Sequence, residues 1–419
     1  MLSPAAKAEL EKQGYRIVGT HSAVKTCGWT KNMIRGEGGC YKLKFYGIMS
    51  HQCMQMTTSI SCANRCTFCW RGYKAPVSKE WKWEVDTPED IHAGAMQAHH
   101  QLLVGFGGSA TANQTAYAKS KEIKHVALSL TGEPIFYPRI NESLALFNHD
   151  GVSTFLVTNA QYPEQIRDLK PVTQLYVSVD APTKEMLKEV DKPLFKDYWE
   201  RLLLSLDYLA QKKQRTCVRL TVVKGENDVL LDKYAELIKR GNPDFIEAKA
   251  YMHVGPSRER LTQENMPLHE EIVSFSKALV KYLSDWEIVS EHVSSHVVML
   301  AKKKFKLDGV WHTWIDFEKW HQLVNIDPDG KDFTSMDFLR KTPQVGLSGK
   351  GSLDSMPEEK RKRFLAEKKV LSSYGEEAYT FVDEKTEEMD FYAGKEESIE
   401  KEVTVKEEVE EEEKLVVVG

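Results

Sequence analysis

The sequence predicts an α/β protein centred on a partial (β/α)6 TIM-like barrel, with a cysteine-bearing N-terminal segment before it and a C-terminal extension after it. Three observations predict it. Between about residues 60 and 300, near-continuous apolar runs alternate with helical patterns, as parallel strands covered by crossover helices do. The runs end in polar residues, Glu133, Asn159, Asp180 and Lys224. Barrel folds build their sites at those C-terminal strand ends. Finally, six of the seven cysteines fall within the first 70 residues, ahead of most of the strands.

The elements follow in order. MLSPAAKAELEKQGYRI (1–17) lacks the apolar stretch of a signal peptide and reads as a first helix. Residues 1–60 form the N-terminal segment and 61–285 the barrel. Strands are expected at HVALSLTGEP (125–134), STFLVTNA (153–160), QLYVSVDAP (174–182), CVRLTVVKG (217–225) and FIEAKAYMHVG (245–255), plus one near the cysteine loop. PEQIRDLK (163–170) and FKDYWERLLLSLDYLAQK (195–212) carry helical patterns between them. In the extension, 286–350, WEIVSEHVSSHVVMLAKKKF reads as a hairpin or two strands and VWHTWIDFEKWHQLV as an aromatic-rich helix. Residues 351–419 form a charged, acidic tail, expected to be disordered and to serve solvation.

The net charge of −5 conceals an asymmetry. Residues 376–419 carry 17 Asp/Glu and 5 Lys, a net of −12, which leaves +7 on the rest. A basic body suits a nucleic acid partner, because its cations release counterions from phosphates. No apolar run of about 18 residues occurs, so no membrane span is predicted. The chain reads as a soluble cytoplasmic protein, with a monomer as the default. Clustered cysteines in that setting point to metal or redox chemistry rather than to disulfides.

CANRCTFCW (62–70) places Cys62, Cys66 and Cys69 at C-x3-C-x2-C spacing. Zinc sites usually close a four-ligand shell with a further Cys or His. Asn64 and Thr67 are poor fourth ligands, and no His lies nearby in sequence. Thiolates also hold iron–sulfur clusters, and a cubane held by three of them leaves one iron open to a small molecule. A closed zinc site remains the alternative on spacing alone.

With this motif the chain resembles the radical S-adenosylmethionine superfamily. The resemblance implies that the open iron of a 4Fe-4S cluster chelates S-adenosylmethionine, which is cleaved by one electron to methionine and a 5′-deoxyadenosyl radical. It also implies cofactor contacts: Phe68, just before the last cysteine, and Gly132 and Glu133 of TGEP, which resembles the family's Gly-Gly-Glu segment and meets the methionine amino group. Asn159 and Ser178 would contact the ribose or carboxylate, and Arg219 would neutralise the carboxylate. Asn and Ser also end strands simply because they favour turns.

Cys27, Cys40 and Cys53 are 13 residues apart. They fit no local zinc spacing. Either they hold a second 4Fe-4S cluster, or they are buried free thiols, a common state for cysteine. Their polar, Gly-rich surroundings, KTCGW, GGCYK and SHQCM, favour ligation.

GGCYKLKFYGIMSHQC, CANRCTFCWRGYKAP, VALSLTGEP and AYMHVG together resemble the tRNA 4-demethylwyosine synthase family over roughly residues 10–345. The start near the cysteine segment resembles the short archaeal form, which takes its electrons from a separate donor protein. The resemblance implies a lyase-type reaction on tRNA-Phe carrying N1-methylguanosine at position 37. Carbons from pyruvate are added and a third ring closes, giving 4-demethylwyosine. Pyruvate could be activated on the open iron of the second cluster, or as a Schiff base on Lys42 or Lys44, with Lys42 preferred. Residues 286–350 would then help form the base or bind tRNA. Trp70, Arg71, Tyr73, Lys74, Lys31, Arg35, Lys42, Lys44, Arg258 and Arg260 are candidate RNA contacts, since a splayed base stacks on aromatics and cations clamp its phosphates. The alternatives are a tRNA methylthiotransferase and a non-catalytic zinc RNA-binding protein.

Overall fold

The computed structural model describes residues 2–72 and 75–343. Tyr73, Lys74 and the acidic tail lie outside the described residues. The chain opens with α1 (Pro4–Lys12), capped by Ser3, and the hairpin β1 (Arg16–Val18) and β2 (Ser22–Val24). Next come α2 (Gly28–Ile34), α3 (Tyr41–Tyr46) and β3 (Cys53–Thr57). The strand–helix series continues through α4 (Pro88–Leu103), α5 (Gln114–Ser120), β4 (His125–Leu128), α6 (Ile140–His149), β5 (Ser153–Thr158), α7 (Pro163–Asp168) and β6 (Gln174–Ser178). It ends with α8 (Lys184–Asp191), α9 (Tyr198–Leu209), β7 (Arg215–Val222), α10 (Leu231–Gly241) and β8 (Phe245–Ala250). α11 (His269–Val280) leads to the hairpin β9 (Trp286–His292) and β10 (Val297–Lys302).

Among the described residues these ten strands form one sheet in the order β1-β2-β3-β4-β5-β6-β7-β8-β10-β9. The six strands β3 to β8 run parallel, as the partial (β/α)6 barrel requires. Antiparallel hairpins extend both edges, so the N-terminal segment and the extension share the barrel's own sheet. No described helix is long and apolar enough to cross a membrane.

Side chains alternate across a strand, and this alternation sorts the core in two. The larger cluster, with Leu128, Leu156, Val177, Val218 and Ile246, packs against the outer helices. The other face carries Phe155, Tyr176, Cys217, Phe245 and Met299, and Tyr41, Phe45 and Tyr46 of α3 pack into it. Helix α3 therefore lies inside the barrel. A helix cannot satisfy its last carbonyls internally. Here Thr313 donates to the Phe45 carbonyl (2.8 Å) and Trp314 Nε1 to that of Lys44 (3.0 Å). Gly47 ends the helix at φ +79°, and a Cβ there would come within 2.9 Å of the Trp314 ring.

The stretch expected to be one aromatic helix differs. After the short pair β11 (Lys306–Leu307) and β12 (Val310–Trp311) comes β13 (Trp314–Ile315), and only then α12 (Phe317–Ile326). β13 pairs with β14 (Leu339–Arg340). The cause is visible at Thr313 and Trp314, whose extended backbone lets both side chains reach α3.

Candidate active site

The first cysteine triad lies in the loop after β3. Its backbone is tied down by distant segments. Leu194 N–H donates to the Ala63 carbonyl (2.8 Å), Arg65 N–H to that of Asp191 (3.0 Å) and Thr67 N–H to that of Val190 (2.8 Å). Arg71 is buried, with Nη1 on the carbonyls of Ile60 (2.9 Å) and Pro76 (3.1 Å). Arg260 donates to the carbonyls of Thr67 (2.9 Å) and Cys69.

The turn after β4 closes over this loop. Gly132 has φ +68°, and a Cβ there would stand 2.0 Å from the Ser59 carbonyl oxygen, so no side chain fits. Glu133 N–H donates to the carbonyls of Ser61 (2.9 Å) and Ser59 (3.2 Å). The Glu133 side chain is buried; its Oε2 accepts from Asn159 N–H at 2.9 Å, while Oε1 has no hydrogen-bond partner. Asn159 Nδ2 donates to Cys62 Sγ at 3.3 Å. Ser178 and Arg219 are register partners on neighbouring strands, and Arg219 Nε is buried without a partner. Phe68 packs with Val223, Tyr251 and Leu261.

Carboxyl groups surround this triad. Burial, with Glu133 adding to it, pushes the Cys62 thiol up to about 12. Cys66 is also raised, by burial first and then by Asp191. Burial lifts Glu133 to about 7 against the Asn159 N–H, and Asp180 to about 6.

The second triad is assembled from three element starts. Cys27 caps α2, with Trp29 N–H 3.3 Å from its sulfur; Cys40 precedes α3; Cys53 opens β3. Hydrogen bonds join the three segments: Thr30 of α2 donates to the Ser50 carbonyl (2.9 Å), and Cys40 N–H to the Ser50 hydroxyl (2.8 Å). Cys40 and Cys53 are each raised to about 12, by burial first and then by Cys27. Lys42 pulls both the other way. Its Nζ lies 4.3 Å from the centre of the Tyr176 ring and 5.9 Å from that of Phe155, inside the barrel. Lys44, two residues on, leaves a helix on the other side; its charge acts on His292, whose pKa falls to about 3, mainly through burial.

The sequence reading missed the inner face of β8. Glu247 is fully buried, opposite Arg219 in register. Lys249 donates to the Ser295 carbonyl at 2.6 Å; burial and then Arg219 lower its pKa to about 7. Charged residues at alternate positions of the strand FIEAKA were the available signal, since both must face the same way.

Several expectations need correction. Arg71 and Arg260 use their guanidinium groups on the cysteine loop's own carbonyls, so they brace the loop rather than present charge to RNA. Lys224 pairs with Glu271 at the surface, away from the site. The Gly-rich contexts of Cys40 and Cys53 suggested a polar environment, yet both pack against the inner core, because α3 enters the barrel. Trp70 stacks on Tyr15 with the Lys25 ammonium over both rings.

The residues fit an iron–sulfur cluster. All six thiols are free of disulfides. Among the described residues no group of three His, Cys, Asp or Glu could hold a single metal ion, whereas a cluster is larger and takes thiolates from further apart. The unpartnered Glu133 Oε1 suits an ammonium donor. A partial barrel with three cysteines after its first parallel strand and a Gly-Glu turn after its second defines a radical S-adenosylmethionine protein.

Known proteins agree. Residues 56–238 match the family model described as "Radical SAM superfamily", and residues 240–302 the one described as "Wyosine base formation". The chain is 50% identical over 353 residues to S-adenosyl-L-methionine-dependent tRNA 4-demethylwyosine synthase TYW1 of Mus musculus, covering 83% of this chain and 49% of that protein. It thus spans about half the length of the curated relatives it matches. A solved "Structure of TYW1 with a lysine-pyruvate adduct bound" is 36% identical with TM-score 0.66, covering 74% of this chain and 99% of that one. "Crystal structure of archaeal TYW1" is 34% identical with TM-score 0.60, at the same coverages. The chain belongs to the tRNA 4-demethylwyosine synthase family. Its radical SAM membership implies S-adenosylmethionine and an iron–sulfur cluster.

Proposed function

We propose that the chain acts as a tRNA 4-demethylwyosine synthase, a carbon–carbon lyase that condenses N1-methylguanosine-37 of tRNA-Phe with carbons from pyruvate. The observation that carries this reading is the convergence of Cys27, Cys40, Cys53 and Lys42 inside the barrel that also bears the Cys62–Cys66–Cys69 loop. The relatives' name and the lysine-pyruvate adduct described for one of them support it.

When bound, the cluster and S-adenosylmethionine supply a carbon radical able to take hydrogen from the N1-methyl group. The chain does the rest. Cys62, Cys66 and Cys69 hold that 4Fe-4S cluster; Glu133 accepts from the methionine ammonium, and Gly132 lets the backbone come close. Phe68, Asn159 and Ser178 line the cofactor's place, and Arg219 balances its carboxylate. Cys27, Cys40 and Cys53 hold a second 4Fe-4S cluster. Lys42 attacks the pyruvate ketone as a neutral amine; Lys44 is the lesser candidate. Residues 1–60 supply the second cluster's ligands, 61–285 the barrel, and 286–350 help form the base or bind the tRNA. Lys31 and Arg35 form part of the tRNA rim. A separate protein donates electrons. The protein works as a cytoplasmic monomer, without a membrane.

An anaerobic reaction of the reconstituted chain with N1-methylguanosine-containing tRNA, pyruvate and a chemical reductant tests this. Nucleoside mass should show the tricyclic base, with label from pyruvate retained. Cleavage of S-adenosylmethionine without any change in the nucleoside would refute the reading.

A further inference from the structure

We propose that Glu247 is a positioning residue for Lys42: its carboxylate fixes α3 inside the barrel and so sets the reach of the amine. The inference rests on the keto-acid reading above and deepens it.

Glu247 lies on the inner face of β8 with no exposed surface. Both its oxygens are taken by one helix: Oε2 accepts from the Tyr41 hydroxyl at 3.0 Å and Oε1 from the Tyr46 hydroxyl at 2.9 Å. Those tyrosines bracket Lys42 in the sequence. A six-residue helix has too few internal bonds to hold its own orientation. Hydrogen bonds to an ionised carboxylate are roughly twice as strong as neutral ones, and two of them, at residues five apart, oppose both roll and slide of α3.

Roll is the motion that matters. Lys42 lies over the Tyr176 ring at 4.3 Å, and a turn of α3 would carry its amine away from that ring and from Cys40 and Cys53. Basic side chains share the inner ladder with Glu247. Arg219 is its register partner, and Lys249 is two residues along. Because Cys40 immediately precedes α3, one carboxylate orients both the amine and one thiol of the second triad. A brace that served stability alone would have no need to engage the lysine-bearing helix on both sides of the lysine.

The test reads the amine directly. Lys42 adds to the ketone carbon of pyruvate, the oxygen leaves as water, and borohydride delivers hydride to the resulting C=N bond. The trapped adduct is located by peptide mass spectrometry on the full chain with its clusters reconstituted. The variants are Tyr41→Phe, Tyr46→Phe, the double substitution and Glu247→Gln. Phenylalanine keeps the packing and removes only the hydroxyl.

At saturating pyruvate, the trapping rate at Lys42 should fall about tenfold or more in the double variant, since misplacing a reacting group by about 1 Å can cost about a hundredfold. Each single variant and Glu247→Gln should fall in between. Cleavage of S-adenosylmethionine without tRNA should stay at the wild-type rate in the tyrosine variants, which keep the Glu247 carboxylate opposite Arg219. A double variant that traps pyruvate as fast as the wild type overturns the inference alone. So does a parallel loss of trapping and cleavage, which would mark general unfolding. If the wild-type chain forms no adduct at Lys42, the keto-acid reading fails and this inference with it.

Discussion

The two cysteine triads have the same number of thiols in different surroundings. At the first triad the Arg71 guanidinium lowers the Cys62 thiol while Glu133 raises it, and Asp191 and Asp180 raise Cys66. At the second, Lys42 lowers Cys40 and Cys53 while Glu247 raises Cys40, and Lys249 feels Cys40. At short range in a low-dielectric interior such charges select ligands by sign. At the first site the carboxyl groups of Glu133, Asp180 and Asp191 would suit the ammonium and sulfonium of S-adenosylmethionine, with Arg219 for its carboxylate. At the second, Glu247 is already engaged by Tyr41 and Tyr46, which leaves Lys42 as the group suited to the proposed keto acid.

The comparison breaks most sharply at the cysteines. Cys66→Ala should abolish reductive cleavage of S-adenosylmethionine and all product with it; cleavage measured at the wild-type rate would remove the first triad from the mechanism. Cys40→Ala should leave cleavage intact and stop formation of the tricyclic base; normal product by nucleoside mass would mean that the second triad is three buried thiols and nothing more. Iron and sulfide analysis of each variant should show the loss of one cluster only.

The triads also differ in how far the sequence exposes them. Cys62, Cys66 and Cys69 were legible from spacing because one loop carries all three. Cys27, Cys40 and Cys53 come together only because α2, α3 and β3 all begin in one place, and no local rule encodes that meeting. The parallel strands were legible for the same local reason, being continuous apolar runs with polar ends. Besides the inner face of β8 and the strand before α12, two things stayed hidden. One is that α3 enters the barrel, since its Gly-rich flanks read as surface. The other is that Arg71 and Arg260 turn inward onto backbone carbonyls, since a charged residue after a cysteine loop looks the same whichever way it points.

A smaller effect sharpens the sign argument. Burial raises Glu133 from its ordinary 4.5 to about 7. Below pH 7 the free protein holds the proton, and a cationic ligand must displace it. Affinity for S-adenosylmethionine should therefore rise about tenfold per pH unit between pH 5 and 7 and level off above, since one unit is about 1.4 kcal/mol. Calorimetry on the reconstituted chain should show this slope, and Glu133→Gln should flatten it. Stability carries the same sign check. From pH 4.5 to 7 the folded state binds more protons at this group than the unfolded state, so this contribution to stability declines as pH rises through the window.

The smallest effect separates two lysines that the sequence could barely distinguish. Lys42 and Lys44 lie on one short helix, two residues apart, a spacing that puts them on different sides. Lys42 reaches the aromatic floor of the barrel beside Cys40 and Cys53, whereas Lys44 acts on His292 and gives its carbonyl to Trp314. The carbonyl bond belongs to the backbone and survives any substitution of the side chain. Lys44→Met should therefore cost far less tricycle formation than Lys42→Met, because its side chain points away from Cys40 and Cys53. Lys42→Met should prevent it, while both variants cleave S-adenosylmethionine normally. A loss of product in Lys44→Met as deep as in Lys42→Met would mean that the anionic reactant is held from both sides of α3, and the second site would then extend towards His292 rather than stop at the inner face of the helix.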